Sequence, residues 1–152
     1  MSNRGIEIPL KYRMRESILN ENAPAIFFLH GYGSNMEDLF SLSQFFSDEW
    51  AIISFQASES IGFGGYAWAE LDFSNLRELP KPEQKVDSIH NIHNSISALS
   101  SKFNFDKNQI YILGFSQGSD LALSTGFKFP NFYKGIISLC GYFDIKKVEY
   151  NL

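Results

Sequence analysis

Residues 110–118 read Ile-Tyr-Ile-Leu-Gly-Phe-Ser-Gln-Gly, an apolar run that leads into a glycine-rich turn. The apolar run is typical of a short strand that is covered on both faces. Residues 117–128 are predicted to be helical, and Pro130 ends that helix. The segment Gly114-Phe115-Ser116-Gln117-Gly118 therefore lies where a strand passes directly into a helix.

A G-x-S-x-G segment in this setting is typical of a nucleophile elbow, in which a serine stands on a tight turn. Because this turn is tight, side chains at Gly114 and Gly118 would collide. Ser116 would project its hydroxyl beyond the strand end, beside a helix N-terminus that favours developing negative charge. The alternative is an ordinary glycine-rich turn in which the serine only caps the helix.

Similar apolar runs occur at residues 25–29, 51–55 and 135–139, and each predicts a buried strand. The alternating pattern near residues 10–14 predicts one more strand. Helical patterns separate these runs, so that strands and helices alternate along the chain. This order predicts a single three-layer α/β domain over residues 1–152, with a mostly parallel sheet and helices on both faces.

Three segments between the strands carry local signals of their own. Ser34 and Glu37 have the spacing of a capping box, which predicts a helix from there to about Phe46. Residues 57–80 are rich in glycine and aromatic residues and are expected to be irregular. Pro82 is expected in the first turn of a long helix. The apolar residues that follow it at helical spacing are Val86, Ile89, Ile92, Ile96, Leu99 and Phe103.

Composition excludes several classes of protein. The 152 residues carry a net charge of −4, which argues against a nucleic-acid partner and against a polybasic membrane patch. Cys140 is the single cysteine, so no internal disulfide can form, and a reducing cytoplasmic location is expected. No signal peptide or transmembrane segment is predicted. The 16% of aromatic residues fit either a phenylalanine-rich core or an apolar acyl or aryl pocket.

A second glycine-rich segment, Leu29-His30-Gly31-Tyr32-Gly33, follows the apolar run at 25–29. In a serine hydrolase, such a loop supplies one backbone N–H of the oxyanion hole, and the residue after the nucleophile supplies the other. The candidates are the N–H groups of Tyr32 and Gln117. His30 is expected to order the loop by hydrogen bonding rather than to act as a base. The alternative is a helix-capping loop that binds no ligand.

Together with Glu37-Asp38-Leu39, these two segments resemble the phospholipase/carboxylesterase family of α/β-hydrolases. That family includes bacterial carboxylesterases and acyl-protein thioesterases. Gly65-Tyr66-Ala67-Trp68 is similar to the family's substrate-side loop, although Ala69-Glu70 depart from the family's aromatic or acidic pair. The resemblance implies an α/β-hydrolase fold and hydrolysis of small-molecule carboxylic esters or thioesters, with no metal and no organic cofactor.

The chain departs from that family in one respect. The triad of such a fold runs Ser, then Asp or Glu, then His, yet no histidine follows Ser116. Thirteen residues follow Leu139, whereas two more strand–helix units need about 50. The chain is therefore expected to be the N-terminal two thirds of such a domain, lacking its last strands. The alternative is a non-catalytic pseudo-hydrolase or a small-ligand binding module.

The remaining candidate residues are weaker. His90 is expected to be solvated and His93 to lie at the edge of the buried stripe; their spacing could hold a metal, but no third ligand is evident. Asp120 is expected to support the helix N-terminus. Asp144 follows the last strand, whereas the resemblance implies that the acid comes one strand later. Cys140 is expected to be a small core residue.

The strand predicted at residues 135–139 should have an unpaired outer edge, because no later strand is predicted in this chain. An apolar strand edge is a template for pairing with a second chain, so self-association is expected. The alternative is that residues 141–152 fold back over that edge. Light scattering on the purified chain separates the two.

Overall fold

The computed structural model describes residues 7–76 and 78–141. The strands are β1 (Tyr12–Arg15), β2 (Ala25–Leu29), β3 (Ala51–Phe55), β4 (Glu59–Gly62), β5 (Gly65–Ala67), β6 (Ile110–Phe115) and β7 (Gly135–Leu139). The helices are α1 (Met36–Phe40), which continues as a 3-10 helix (Ser41–Phe45), α2 (Pro82–Lys102) and α3 (Gln117–Lys128). None of the helices in these two ranges combines the length and the apolar composition of a membrane span.

Five of the strands form one sheet in the order β1-β3-β2-β6-β7. Strand β1 is antiparallel to β3, and every other neighbouring pair is parallel. Strands β2 and β6 lie side by side, with Leu29 opposite Gly114. The predicted mostly parallel sheet is confirmed, and its register brings the ends of β2 and β6 to the same place.

Side chains of β2 point alternately to the two faces of the sheet. Phe27 packs in one hydrophobic cluster with Ile96 of α2 and Leu121 of α3. Phe28, its neighbour, packs in a second cluster with Leu39 of α1. Because helices cover both faces, every residue of β2 is buried and apolar. The predicted three-layer arrangement is therefore confirmed.

The start of α1 differs from its prediction. Asn35 is the N-cap, and its side chain accepts a hydrogen bond from the N–H of Glu37 at 2.9 Å. Ser34 Oγ donates to Asp38 at 2.8 Å instead. The predicted capping box is therefore wrong by one residue. The backbone of Ser34 pairs with Tyr66 of β5, so that the chain becomes helical only after it.

Residues 57–80 are not irregular throughout, because they contain the antiparallel hairpin β4–β5. Its tip, Gly62-Phe63-Gly64, has three successive positive φ angles of 91°, 51° and 76°. Such backbone suits glycine, and the phenylalanine between the glycines is fully exposed. Two hydrogen bonds tie the hairpin to the loop after β2, one from Gly33 N to Tyr66 O at 2.9 Å and one from Tyr66 N to Ser34 O at 2.8 Å.

The predicted apolar stripe of α2 is correct except at its first position, since Val86 is 50% exposed. At about 100° per residue, Val86 lies outside the arc that Ile89, Ile92 and Ile96 occupy. Two small residues on the other side of the arc are buried instead; they are Ser88 and Ser95.

Strand β7 pairs with β6 on one side, and no described residue pairs with its other edge. Ile137 and Leu139 are both 39% exposed. Residues 142–152, which include Asp144, lie outside the described ranges. Self-association through this edge therefore stays a prediction.

Candidate active site

Ser116 lies at the junction of β6 and α3 with φ 53° and ψ −118°. A positive φ is rare for a residue other than glycine, and such strain is found at functional sites. Its N–H donates to Leu139 O at 2.9 Å, and its carbonyl accepts from Ser119 N at 2.9 Å. Its side chain makes no capping bond to α3. The half-buried hydroxyl is thus left for other chemistry, which argues against the alternative of a merely capping serine.

The two glycines that flank Ser116 stand where no side chain fits. A Cβ on Gly118 would meet Leu29 O, and it would lie 2.6 Å from His30 O. A Cβ on Gly114 would meet the backbone of Gly118. These atoms belong to backbone that cannot turn aside. Glycine at position 118 therefore lets α3 approach β2 this closely, and glycine at position 114 does the same for β6 and α3.

The loop after β2 lies against this turn. A Cβ built on Gly31 would be 3.4 Å from Ser116 Cβ and 3.2 Å from Phe115 Cδ1. The two N–H groups that the sequence predicts for the oxyanion hole belong to Tyr32 and Gln117. Neither donates a hydrogen bond to another residue of the described ranges.

His30 is fully buried behind this loop. Its Nε2 accepts a hydrogen bond from the N–H of Ala57 at 3.1 Å, so the proton of the neutral ring is on Nδ1. Nδ1 then donates to Gly31 O at 2.8 Å. Burial lowers the pKa of His30, and the bond to Gly31 offsets this only in part. With both nitrogens occupied, His30 orders the loop and cannot also take a proton from Ser116.

Trp68, predicted on a substrate-side loop, follows β5 and is fully buried. Its indole N–H donates to His30 O at 2.8 Å, and its carbonyl accepts from Ser88 Oγ of α2 at 2.6 Å. Its backbone N–H donates to Oε1 of Gln117 at 2.9 Å. The sequence motif predicts a role for the Gln117 backbone alone and gives no sign of this side-chain bond.

The arrangement of a strained serine, two unoccupied N–H groups and close-packed glycines fits acyl transfer, and sequence comparison identifies the family. The sequence model of the phospholipase/carboxylesterase family matches residues 15–149. The chain belongs to the phospholipase/carboxylesterase family. No curated protein matches the sequence.

Solved structures of the α/β-hydrolase fold resemble this family member closely. Esterase PE8 is 27% identical with a TM-score of 0.79, over 88% of this chain and 65% of that one. The Bacillus cereus carboxylesterase is 19% identical with a TM-score of 0.77, over 93% and 64%. The Dyadobacter fermentans phospholipase/carboxylesterase is 22% identical with a TM-score of 0.68, over 92% and 64%. The chain thus spans about two thirds of the length of these proteins.

In this member of the family, the other two histidines lie far from Ser116. His93 stacks on Phe129 with ring centroids 3.6 Å apart and pairs with the Tyr133 hydroxyl at 2.7 Å. His90 packs edge-on against Phe129 and is half-buried, so its predicted solvation is wrong. Phe129 ends α3, whereas Ser116 precedes it, and a 12-residue helix is about 18 Å long. Aromatic packing therefore holds both histidines near the far end of α3.

Two further candidates have structural places. Asp120 pairs with Lys85 Nζ at 2.7 Å, which joins α3 to α2. Cys140 is exposed with φ 53°, so its prediction as a core residue is wrong; β7 has already ended at Leu139, and the left-handed backbone at Cys140 does not continue the strand. Within residues 7–76 and 78–141, no group of three or more His, Cys, Asp or Glu side chains could hold a metal ion.

Replacing Ser116 by glycine should raise the free energy of unfolding by about 1 kcal/mol. The strained φ of Ser116 costs the folded chain about 1–3 kcal/mol, and glycine removes that strain. Part of this gain is lost because glycine gives up more backbone entropy on folding. Urea unfolding measures the difference. Asn131→Gly is the matched control, since Asn131 also has a positive φ, which asparagine tolerates, and should change little. A less stable Ser116→Gly chain would contradict the strained turn.

The buried, neutral His30 predicts that stability falls in mild acid. Its pKa is lowered in the folded chain, so the unfolded chain binds more protons as the pH falls below about 6.5. Stability from this residue is therefore full above that pH and decreases below it. Urea unfolding between pH 5 and 8 measures this, above the range in which the carboxyls of Glu70, Asp72 and Asp106 titrate.

The pKa of His93 is also lowered by burial, and its effect has the same sign. The series is therefore repeated with His93→Gln, in which the remaining pH dependence reports His30. A flat stability profile in that variant would show that the folded chain accepts the proton on His30 without loss.

Proposed function

We propose that this chain carries the nucleophile and the oxyanion hole of a serine hydrolase that cleaves carboxylic esters or thioesters. The observation that carries the proposal is the strained, uncapped Ser116 between β6 and α3, in a chain of the phospholipase/carboxylesterase family. The predicted oxyanion loop at residues 30–33 lies against that serine. Strained serines on such turns are the nucleophiles of α/β-hydrolases.

In the proposed reaction, Ser116 Oγ attacks the acyl carbon while the N–H groups of Tyr32 and Gln117 stabilise the oxyanion. The bond from the acyl carbon to the alkoxide or thiolate then breaks. The serine proton passes through a base to that leaving group. Water next attacks the acyl-serine, releases the carboxylic acid and returns a proton to Oγ.

None of the chain's three histidines is placed to act as the base. Both nitrogens of His30 are engaged, and His90 and His93 pack against Phe129 near the far end of α3. We therefore place the base on a histidine outside these 152 residues, in a cytoplasmic enzyme. The same observation favours the second candidate function, a pseudo-hydrolase that binds but does not cleave. The coding DNA beyond Leu152 separates them, since an in-frame continuation with a Gly-His near its end supports the enzyme.

Apolar side chains around the loop support a substrate with an apolar acyl or aryl group. Phe115 is 39% exposed beside Gly31. Phe73 is exposed and packs edge-on against Tyr32, with ring centroids 5.6 Å apart. Ile61 of β4 approaches Gly33. The aromatic residues thus fill both the core and the rim of the proposed site.

A fluorophosphonate tests the nucleophile without requiring turnover. Ser116 Oγ forms a bond to phosphorus, the P–F bond breaks, fluoride leaves and the serine proton passes to water; because no histidine of this chain assists, labelling is expected to be slow and is followed over a long incubation. Mass spectrometry should find one adduct, on Ser116. Ser116→Ala should lose it, whereas Ser124→Ala in the same helix should keep it. An unlabelled chain, or adducts spread over many serines, would overturn the proposed function.

A further inference from the structure

The Gln117 side chain joins the turn at Ser116 to the segment after β5. Its Oε1 accepts from Trp68 N at 2.9 Å, and its Nε2 donates to Ala69 O at 2.7 Å. The amide thus pairs with one backbone donor and one backbone acceptor, as a neighbouring strand would. Exchanging the oxygen and nitrogen would break both bonds, so the orientation of the amide is fixed.

Trp68 carries this connection to the loop after β2. Its buried indole N–H donates to His30 O at 2.8 Å, and the indole and imidazole rings lie 5.4 Å apart. Ser88 Oγ holds the Trp68 carbonyl from the side of α2. Because unpaired polar groups are costly inside a protein, each bond favours this one spacing of the segments.

His30 completes the connection at the Gly31–Tyr32 peptide. Its Nδ1–H donates to the carbonyl oxygen of Gly31. That carbonyl and the N–H of Tyr32 belong to one planar peptide group and point in opposite directions. Fixing the carbonyl therefore fixes the direction of the N–H, and a hydrogen-bonded carbonyl also makes its N–H a stronger donor.

We propose that Gln117, Trp68 and His30 are positioning residues whose side chains hold the two oxyanion N–H groups in register. The connection starts at Gln117, whose backbone N–H is one of these donors. It ends on the Gly31–Tyr32 peptide, which contains the other N–H. This inference rests on the proposed function. Oxyanion donors act on charge that develops in the transition state, so a misplaced donor lowers the rate of the chemical step more than it weakens binding.

The first test replaces Gln117 by methionine, which keeps the length of the side chain and removes both bonds. The rate of Ser116 phosphonylation at saturating fluorophosphonate should fall about 10- to 100-fold, with the half-saturating concentration unchanged. Gln44→Met is the matched control, since Gln44 is exposed and bonds only to Ser41 among the described residues. In a Trp50→Phe background, the single indole N–H of Trp68 should exchange faster with solvent in Gln117→Met.

A second variant, Gln117→Glu, has nearly the same shape as the parent. Its carboxyl keeps an acceptor for the Trp68 N–H and regains a donor for Ala69 O only when it is protonated. Its rate relative to the parent at the same pH should therefore rise as the pH falls through the titration of that carboxyl. A role in packing alone would give a ratio that does not follow this titration.

The outcomes separate the two proposals. A Gln117→Met chain that is labelled more slowly than the parent, beside a Gln44→Met chain that is labelled at the parent's rate, supports the inference. An unchanged rate in Gln117→Met overturns it, whatever the indole exchange shows, and leaves the nucleophile assignment intact. A parent chain that gains no adduct on Ser116 overturns the proposed function, and the inference with it.

Discussion

Gly118→Ala should cost the chain at least about 3 kcal/mol of unfolding free energy, a large share of the stability of an ordinary domain. The added Cβ would meet Leu29 O and lie 2.6 Å from His30 O. Both oxygens are backbone atoms at the buried end of β2, so only a movement of α3 away from the sheet could make room. Circular dichroism and urea unfolding measure the loss.

The matched control is Gly126→Ala in the same helix. There the new Cβ meets only side-chain carbons of Ile136, at 3.0 and 3.1 Å, which can shift. Alanine also favours a helix over glycine by about 1 kcal/mol, so the net change should stay within about 1 kcal/mol. If Gly118→Ala were as stable as this control, the close approach of α3 to β2 would be wrong.

The second large effect concerns turnover. The 152-residue chain should hydrolyse p-nitrophenyl acetate at least about 10⁴-fold more slowly than a carboxylesterase with a complete triad. The reason is that none of the histidines at positions 30, 90 and 93 can reach the Ser116 proton. An oxyanion hole alone retains some rate enhancement over water, so a small residual activity that depends on Ser116 is expected.

The difference between the initial rates of the parent and Ser116→Ala chains measures the residual hydrolysis that depends on Ser116. Robust turnover that disappears in Ser116→Ala would contradict the prediction, because it would require a base within the chain. His30 and His93 would then be replaced first. His93→Gln keeps a hydrogen-bonding side chain beside Tyr133 and removes the basic ring.

The features that could be predicted from the sequence are those that neighbouring residues determine. The glycines at 114 and 118, the apolar run before Ser116 and the helix after it are one continuous signal. The same holds for β2, whose five apolar residues already require helices on both faces of the sheet. Fold and candidate nucleophile were therefore accessible without coordinates.

The features that were missed depend on residues far apart in the chain. Gln117 and Trp68 are 49 positions apart, and no local pattern indicates that their amide groups meet. The N-cap of α1 is Asn35 rather than the predicted Ser34, because the backbone of Ser34 pairs with that of Tyr66. Strands β4 and β5 have only four and three residues, too few for an alternating pattern.

The hairpin tip at residues 62–64 offers a place to lengthen the chain. A Cβ on Gly62 or Gly64 would have no neighbour within 4 Å among the described atoms, and the Phe63 side chain points into solvent. Extending a surface loop costs little, about 0.6 kcal/mol for each doubling of its length. A peptide tag or a dye-bearing segment inserted here would stand at the rim of the proposed site without entering the five-stranded sheet. The fluorescence of a dye at the hairpin tip could therefore report the binding of a substrate.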